Sequence, residues 1–313
     1  MSYITRNRTR LFGVGILALF LFGFSIGAIG NALFGGEGSE PFLTKPEVHL
    51  PPQPVLPADA EKAEHGGLPT GAFVLTNTLL SSWITTLVLI LIFAIAVRGM
   101  RADRAPSGFA NLVESVISAM FGFVESVAGP KMARRFFPLF ATIFLFVMIN
   151  AWIGLLPFYP SLGFIEDGEL KRHVLRPAGT DLNMPLALAL ISFVFVEFWG
   201  IKSLRLSYFG KFFRFGALFR GRIFEGLIDV FVGVLEMLSE FIRIVSFTFR
   251  LFGNMTAGEI LLLVTAFLIP FVFTLPFYFL ELLVGFIQAL IFAGLTLVFV
   301  TMAVTKHGPE EEH

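Results

Sequence analysis

Six long apolar runs, at roughly 11–34, 74–97, 136–157, 184–201, 223–269 and 277–304, alternate with polar linkers rich in Pro, Gly or charge. Each approaches or exceeds the ~20 residues that a helix needs to cross ~30 Å of hydrocarbon. Segment 108–128 differs. There Leu112, Val116, Ala119 and Phe123 recur at helical spacing while Glu114 and Glu125 interrupt, which predicts an amphipathic helix near the interface. Neither a solenoid repeat nor a pair of inverted similar halves is visible. The run 223–269 is the unusual one: as a single helix it would be about 70 Å long, at ~1.5 Å per residue. No Pro occurs in it before Pro270. Either it divides into two crossings or it lies strongly tilted. The first run has a basic start and small residues at its end (Ala28, Gly30, Ala32), so a retained helix competes with a cleaved secretory signal. Its length favours the retained helix.

Composition narrows the class. Of the 313 residues, 56% are hydrophobic and 15% charged, and Phe alone accounts for 40. A soluble domain would carry about 25% charged residues. Such a chain cannot cover its apolar surface with polar groups, so lipid must act as solvent. The absence of Cys excludes disulfides, thiolate metal sites and thiol catalysis. The five His residues (His49, His65, His173, His307, His313) all fall in linkers or the tail, which argues against haem or redox metal within the membrane. Lys+Arg and Asp+Glu both number 23, so net charge says nothing of partners, but its distribution does. Basic residues crowd the segments 1–10, 98–135 and 202–222, with Lys306 after the last run. The alternate linkers hold only Lys45, Lys62, Lys171, Arg172 and Arg176, and 36–70 is acidic. Positive charge on the inner side then puts both termini in the cytoplasm, with 223–269 as one long tilted helix.

Ionisable side chains within a bilayer cost about 2.5–3.5 kcal/mol each on insertion scales and default to a functional reading. The last two runs collect most of them. Glu225, Asp229, Glu236, Glu240, Arg243, Arg250 and Glu259 lie in 223–269, and Glu281 with Gln288 in 277–304. At ~100° per residue, Glu236, Glu240, Arg243, Arg250 and Asn254 share one stripe, whereas Glu259 falls on the opposite face. Charge on both faces suits a helix that separates two aqueous pockets, with Glu236 and Glu240 at inner depth and Glu259 and Glu281 at outer depth. Arg250 is a permanent cation and a poor proton relay. Its useful roles are to hold an opposing carboxylate ionised and to block direct hopping between pockets. The nearest acids in sequence, Glu240 and Glu259, lie beyond i,i+4 reach, so a carboxylate on another subunit is the expected partner. Gly253 and Gly258 leave room for a second helix. Bland readings stand beside these. Glu240 and Arg243 form a structural pair or a channel element, Glu225 and Asp229 suit the start of a helix, and Glu197 faces either a pocket or the headgroups.

The run R-L-F-G-N-M-T-A-G-E at 250–259 closely resembles the signature of subunit a of F-type ATP synthases, the channel-bearing stator of the membrane sector. So do P-L-F-A-T-I-F-L-F-V-M-I-N-A-W-I-G-L-L-P at 138–157, with Asn150; D-L-N at 181–183; and Q-A-L-I-F-A-G-L-T at 288–296. The resemblance covers roughly 74–306. It implies an all-α polytopic membrane protein: a five-helix core with a long, strongly tilted helix pair (about 223–269 and 277–304), plus one additional N-terminal apolar helix. Residues 1–35 are then a signal-anchor or extra transmembrane helix, 36–73 an acidic, Pro-rich external linker, 74–306 the channel domain and 307–313 a cytoplasmic tail.

For the site, the resemblance implies that Arg250 is the family's essential arginine facing a ring of c subunits. Asn254, Glu259 and Gln288 fall at polar channel positions, and Glu236 at an acidic position of the inner half-channel. Glu281 stands where other members have His or an acid, so the usual His/acid pairing lacks one member, and Glu259 and Glu281 are expected to lie close and share a proton. Ile244 stands where many members have Pro, and residues 1–57 have no counterpart in the shortest members. The expected partners are the c ring, peripheral-stalk b subunits, the rest of the synthase and the lipid bilayer of a bacterial inner membrane, with no nucleic acid and no cofactor. The chain has no G-x-x-x-x-G-K-[ST] loop, so ATP chemistry falls to partners. The rival reading is a self-contained secondary transporter, which predicts interrupted helices and a repeat. A pure scaffold leaves Arg250 unexplained.

Overall fold

The computed structural model describes residues 2–35, 42–43, 45, 51–56, 73–99, 108–156, 159, 162–166, 169–205, 208, 210, 212 and 222–305. The expectations for the acids of the 36–70 linker, for Arg101, Arg104, Lys211, Arg214, Arg220 and Lys306, and for the 307–313 tail lie outside the described residues. The helices are α1 (Ser2–Ile26), α2 (Ala28–Phe34), α3 (Asn77–Gly99), α4 (Phe109–Gly154), α5 (Asn183–Leu204), α6 (Ile223–Leu268) and α7 (Leu275–Val304). A small antiparallel hairpin, β1 (Gly163–Glu166) with β2 (Glu169–His173), sits in the α4–α5 connection. Single 3-10 turns occupy Ala178–Thr180 and Phe271–Thr274. Apart from this hairpin the architecture is helical, that of a polytopic membrane protein.

Four units, α3, α4, α5 and Phe271–Val304, are long and apolar enough to cross a membrane, and the α1–α2 pair adds a fifth only if counted as one broken span. The first apolar run is thus not a single rod: it bends by 66° between Ile26 and Ala28. The run 223–269, by contrast, does not divide. It forms one helix of 46 residues, about 69 Å at ~1.5 Å per residue, set apart from the other long helices by its seven ionisable side chains.

Segment 108–128 joins the third apolar run, 136–157, through a kink at Gly129, whose φ of 74° suits a residue without Cβ. Pro130 follows, with no amide to donate into the preceding turn. Leu112, Val116, Ala119 and Phe123 are all exposed, free to meet lipid. The protein-facing side is turned by one position to Val113, Met120 and Val124.

The core lies where α4, α5, α6 and α7 meet. Phe140, Phe144 and Val147 of α4 pack with Val196 of α5, Phe247 and Leu251 of α6, and Phe292 and Leu297 of α7. Phe247 and Phe292 are 4.9 Å apart between centroids. Small residues set the closest approaches: a Cβ at Gly285 would lie 2.8 Å from that of Ala151. Peripheral α3 has 17% of its apolar window buried, against 50% for α4. Its exposed Leu and Ile side chains are what a lipid solvent requires.

Among the described residues, the N-terminal pair meets the rest around the turn between α6 and α7. A Cβ at Gly23 or Gly27 would strike the backbone carbonyls of Pro270 and Leu268, and Phe22 stacks on Phe271 at 6.2 Å. These glycines fit α1 to the turn joining α6 and α7. Residues 11–19 of α1 are exposed throughout.

Candidate functional site

Polar side chains gather at two levels of α6, with Arg250 between them. Near its C-terminal end, a cavity of about 220 Å³ is lined by Glu259, Glu281, Arg176, His173, Tyr159 and Tyr278, among others. Glu259 and Glu281 are therefore brought together, as expected. A third group joins them. Arg176 donates from Nε to both carboxylate oxygens of Glu259 at 3.1 Å and from Nη2 to Oε2 at 2.8 Å. Glu281 has no salt bridge among the described residues and lies directly on Gly258, whose missing Cβ makes space for its carboxylate. The second helix for which Gly258 leaves room is thus α7 of the same chain, through its Glu281. Burial pushes the Tyr159 phenol above its ordinary range, keeping it protonated at the cavity wall.

A polar face of α3 holds the cavity's loop in place. Asn77, Thr78, Ser81 and Thr85 are all buried: the first two are adjacent, and Ser81 and Thr85 follow at steps of three and four along the same side. Ser81 Oγ accepts from the Arg176 amide at 3.2 Å, and Thr78 donates to Asp181 at 2.9 Å. Asp181 in turn accepts from the Asn183 amide at 3.0 Å at the start of α5, which is what the D-L-N run does locally. Asn150 of α4 donates to Thr85 at 3.1 Å and accepts from the Gly179 amide at 3.3 Å.

One level down, Asn254 Nδ2 donates to Gln288 Oε1 at 2.7 Å, joining α6 to α7. Gln288 is 2% exposed, and its Nε2 has no partner among the described residues. Among the described residues Arg250 reaches only groups of its own helix: Ser246 Oγ at 3.4 Å and the Phe247 ring at 5.9 Å. Among the described residues it has no carboxylate partner. Gly253, on the next turn, has open space where its Cβ would be.

In the N-terminal half of α6, Glu240 pairs with Arg243 at 2.6 Å, and the guanidinium lies 3.7 Å from the Phe299 centroid. The local pair expected from three-residue spacing is present. Glu197 belongs to this level: it accepts from Tyr208 Oη at 2.9 Å. Burial first, then Glu197 and Glu240, push the Tyr208 phenol far above its ordinary range, so it remains a donor at working pH. Glu236 is half-buried, one turn before Glu240, and among the described residues it bonds to neither cluster. Among the described residues no three His, Asp or Glu side chains converge as a metal site.

Sequence reasoning missed Arg176, His173, Tyr159, Tyr278 and Tyr208 as site residues. Arg176 had been counted only as a charge on the outer side, yet it precedes Pro177 and the D-L-N run, a local signal that this loop is built.

A multi-pass helical protein with ionisable groups at successive depths of one long helix belongs among ion-handling membrane proteins. Comparison with known proteins narrows this further. Residues 79–301 match the family described as ATP synthase A chain. The chain is 34% identical over 231 residues to ATP synthase subunit a of Gloeobacter violaceus, covering 74% of this chain and 85% of that protein. It is 30% identical over 233 residues to ATP synthase subunit a of Helicobacter acinonychis, covering 74% of this chain and 92% of that one. The chain belongs to the ATP synthase A chain family.

Proposed function

We propose that this chain is the proton-conducting stator of a rotary F-type ATP synthase in a bacterial inner membrane. Both termini face the cytoplasm, and the partners are a c-subunit ring, peripheral-stalk b subunits and the rest of the complex. A proton enters the outer cavity at Glu281 and Glu259 and passes the level of Asn254 and Gln288. There it neutralises a carboxylate on the ring. The neutral carboxyl turns into lipid, and after nearly a full revolution the proton leaves through the inner pocket near Glu236 and Glu240. Arg250 stands between the two pockets, keeps the emptied ring carboxylate ionised and closes the direct path. Each charge crossing supplies about 2.3 kcal/mol per 100 mV, so several are needed for one ATP. The chain has no catalytic site of its own; nucleotide chemistry takes place on its partners.

The observation that carries this reading is Arg250 itself. A permanent cation sits mid-helix with no carboxylate partner among the described residues, beside the bare surface at Gly253. A lone charge there is costly, and a carboxylate from another subunit supplies what the chain lacks. The chain contains no Cys, which makes a direct test simple. Gly253→Cys, paired with a cysteine beside the ring carboxylate, should give an oxidative cross-link to the small apolar subunit in whole complexes. No cross-link to that subunit from Gly253→Cys or from the exposed Phe249→Cys would contradict the reading.

A further inference from the structure

The cavity near the end of α6 holds two carboxylates in different circumstances. Glu259 is gripped by three contacts from one guanidinium, at 2.8–3.1 Å. Glu281 is 8% exposed and has no salt bridge among the described residues. The titratable groups that share the cavity with it are Glu259 from α6, Tyr278 from its own helix, Tyr159 after α4, His173 at the end of β2 and Arg176 from the loop before α5.

Arg176 is not a surface side chain that happens to fall nearby. It is 7% exposed, and its position is fixed from three directions. Its amide donates to Ser81 of α3, and the next residue, Pro177, packs on Gly154 at the end of α4. Two residues further on, the Gly179 amide donates to Asn150. The fork therefore reaches Glu259 as a preset element. A fork-held carboxylate has its lone pairs engaged by N–H groups of a cation that does not deprotonate.

We propose that Arg176 is a positioning residue that keeps Glu259 as a fixed anion and so leaves Glu281 as the carboxylate that takes and releases the proton in this cavity. The assignment rests on the half-channel reading above and deepens it. In the step itself, the Glu281 carboxylate accepts a proton from hydronium in the cavity, releasing water. It then passes that proton toward the ring carboxylate and returns to its anionic form. Glu259 neither gains nor loses a proton. Its part is to neutralise Arg176, which would otherwise turn on Glu281 and hold it as an ion.

Paired substitutions test this in the assembled complex, read as ATP-driven acidification of inverted vesicles and normalised to the ATP hydrolysis of the bound complex. Glu259→Gln frees the fork to turn on Glu281, and Arg176→Gln takes the cation from the half-buried Glu259 carboxylate; each should lower pumping at least about tenfold. The double variant Arg176→Gln/Glu259→Gln removes both charges and should recover to within about threefold of wild type, the sign of direct coupling. Glu281→Gln should stay inactive in either background. A double variant as low as Glu259→Gln alone means that Glu259 carries the proton itself, and the assignment falls. Arg176→Lys keeps the cation without the fork and is the milder probe. It should pump with the wild-type pH profile, and a displaced profile would overturn the assignment even if the Gln variants fail to assemble. Full pumping by Glu281→Gln in the otherwise native chain would instead remove the half-channel reading on which the assignment stands.

Discussion

The two ends of α6 solve the same electrostatic problem by different routes. At its N-terminal half, Glu240 finds its counter-ion three residues away on the same helix, in Arg243, which rests on Phe299. At its C-terminal end, Glu259 finds its counter-ion 83 residues away in sequence, on a loop that α3 and α4 hold in place. A neighbour at i,i+3 comes with the helix itself. The remote guanidinium must be delivered by tertiary structure. The first kind of pair stabilises a long helix that carries charge; the second builds a cavity around the charge. Arg250, between them, has neither kind of partner within the described residues.

This contrast leads to graded expectations. The largest effect falls on the cavity: Glu281→Gln should reduce ATP-driven pumping to roughly a hundredth, the scale expected when a proton-transfer group is lost. Nearly full pumping would show that the cavity is only structural. Gly258→Ala comes next. The new methyl displaces the Glu281 carboxylate, the flexible end of a side chain, so protein stability should hold while pumping drops several-fold. Equal losses of both would mean that the glycine serves packing alone. At the other end, Arg243→Gln leaves the buried Glu240 carboxylate without its cation. Part of this pair is open to solvent, so a loss of about 1–3 kcal/mol is expected, below that of a fully buried pair, seen as a lower midpoint of thermal unfolding in detergent. The smallest effect belongs to Tyr208→Phe, which removes one hydrogen bond to Glu197 worth about 1 kcal/mol. The raised Tyr208 pKa favours the folded state only through the neutral phenol. Its contribution is full below pH ~10, the ordinary tyrosine value, and is lost as pH climbs above that; the variant should erase the alkaline decline.

The helices were legible in the sequence because lipid solvent makes long apolar runs unambiguous, and the unbroken α6 followed from the distribution of basic residues, with no Pro in the run to oppose it. The stripe of Glu240, Arg243, Arg250 and Asn254 was legible for the same reason: helical periodicity is local. The bend near Gly27 was not, since nothing in the run itself demands it; the glycines fit α1 against Pro270 and Leu268, which the chain brings there from more than 240 residues away. Arg176 was hidden by its surroundings. In a linker, a basic residue reads as topology, and only the packing of Pro177 on Gly154 and of its amide on Ser81 turns it inward. His173 was set aside as a linker histidine, yet the hairpin brings it to the wall of the same cavity.

The N-terminal docking offers a separate handle on the same end of α6. Gly27→Val would drive a branched side chain into backbone at Leu268 and Pro270, which has little room to move. Overpacking of this kind costs about 1–3 kcal/mol. The expected result is a lost Phe22–Phe271 contact, read by failed cross-linking of cysteines at those positions, with pumping largely preserved.

The central claim is that Arg250 separates two proton pathways while facing a carboxylate of another subunit. ATP-driven acidification of inverted vesicles bearing the assembled complex, wild type against Arg250→Ala, tests it most directly. The account predicts that pumping is abolished while the complex remains assembled on the membrane. Pumping at the wild-type rate by an assembled Arg250→Ala complex would contradict it and reduce Arg250 to a structural charge.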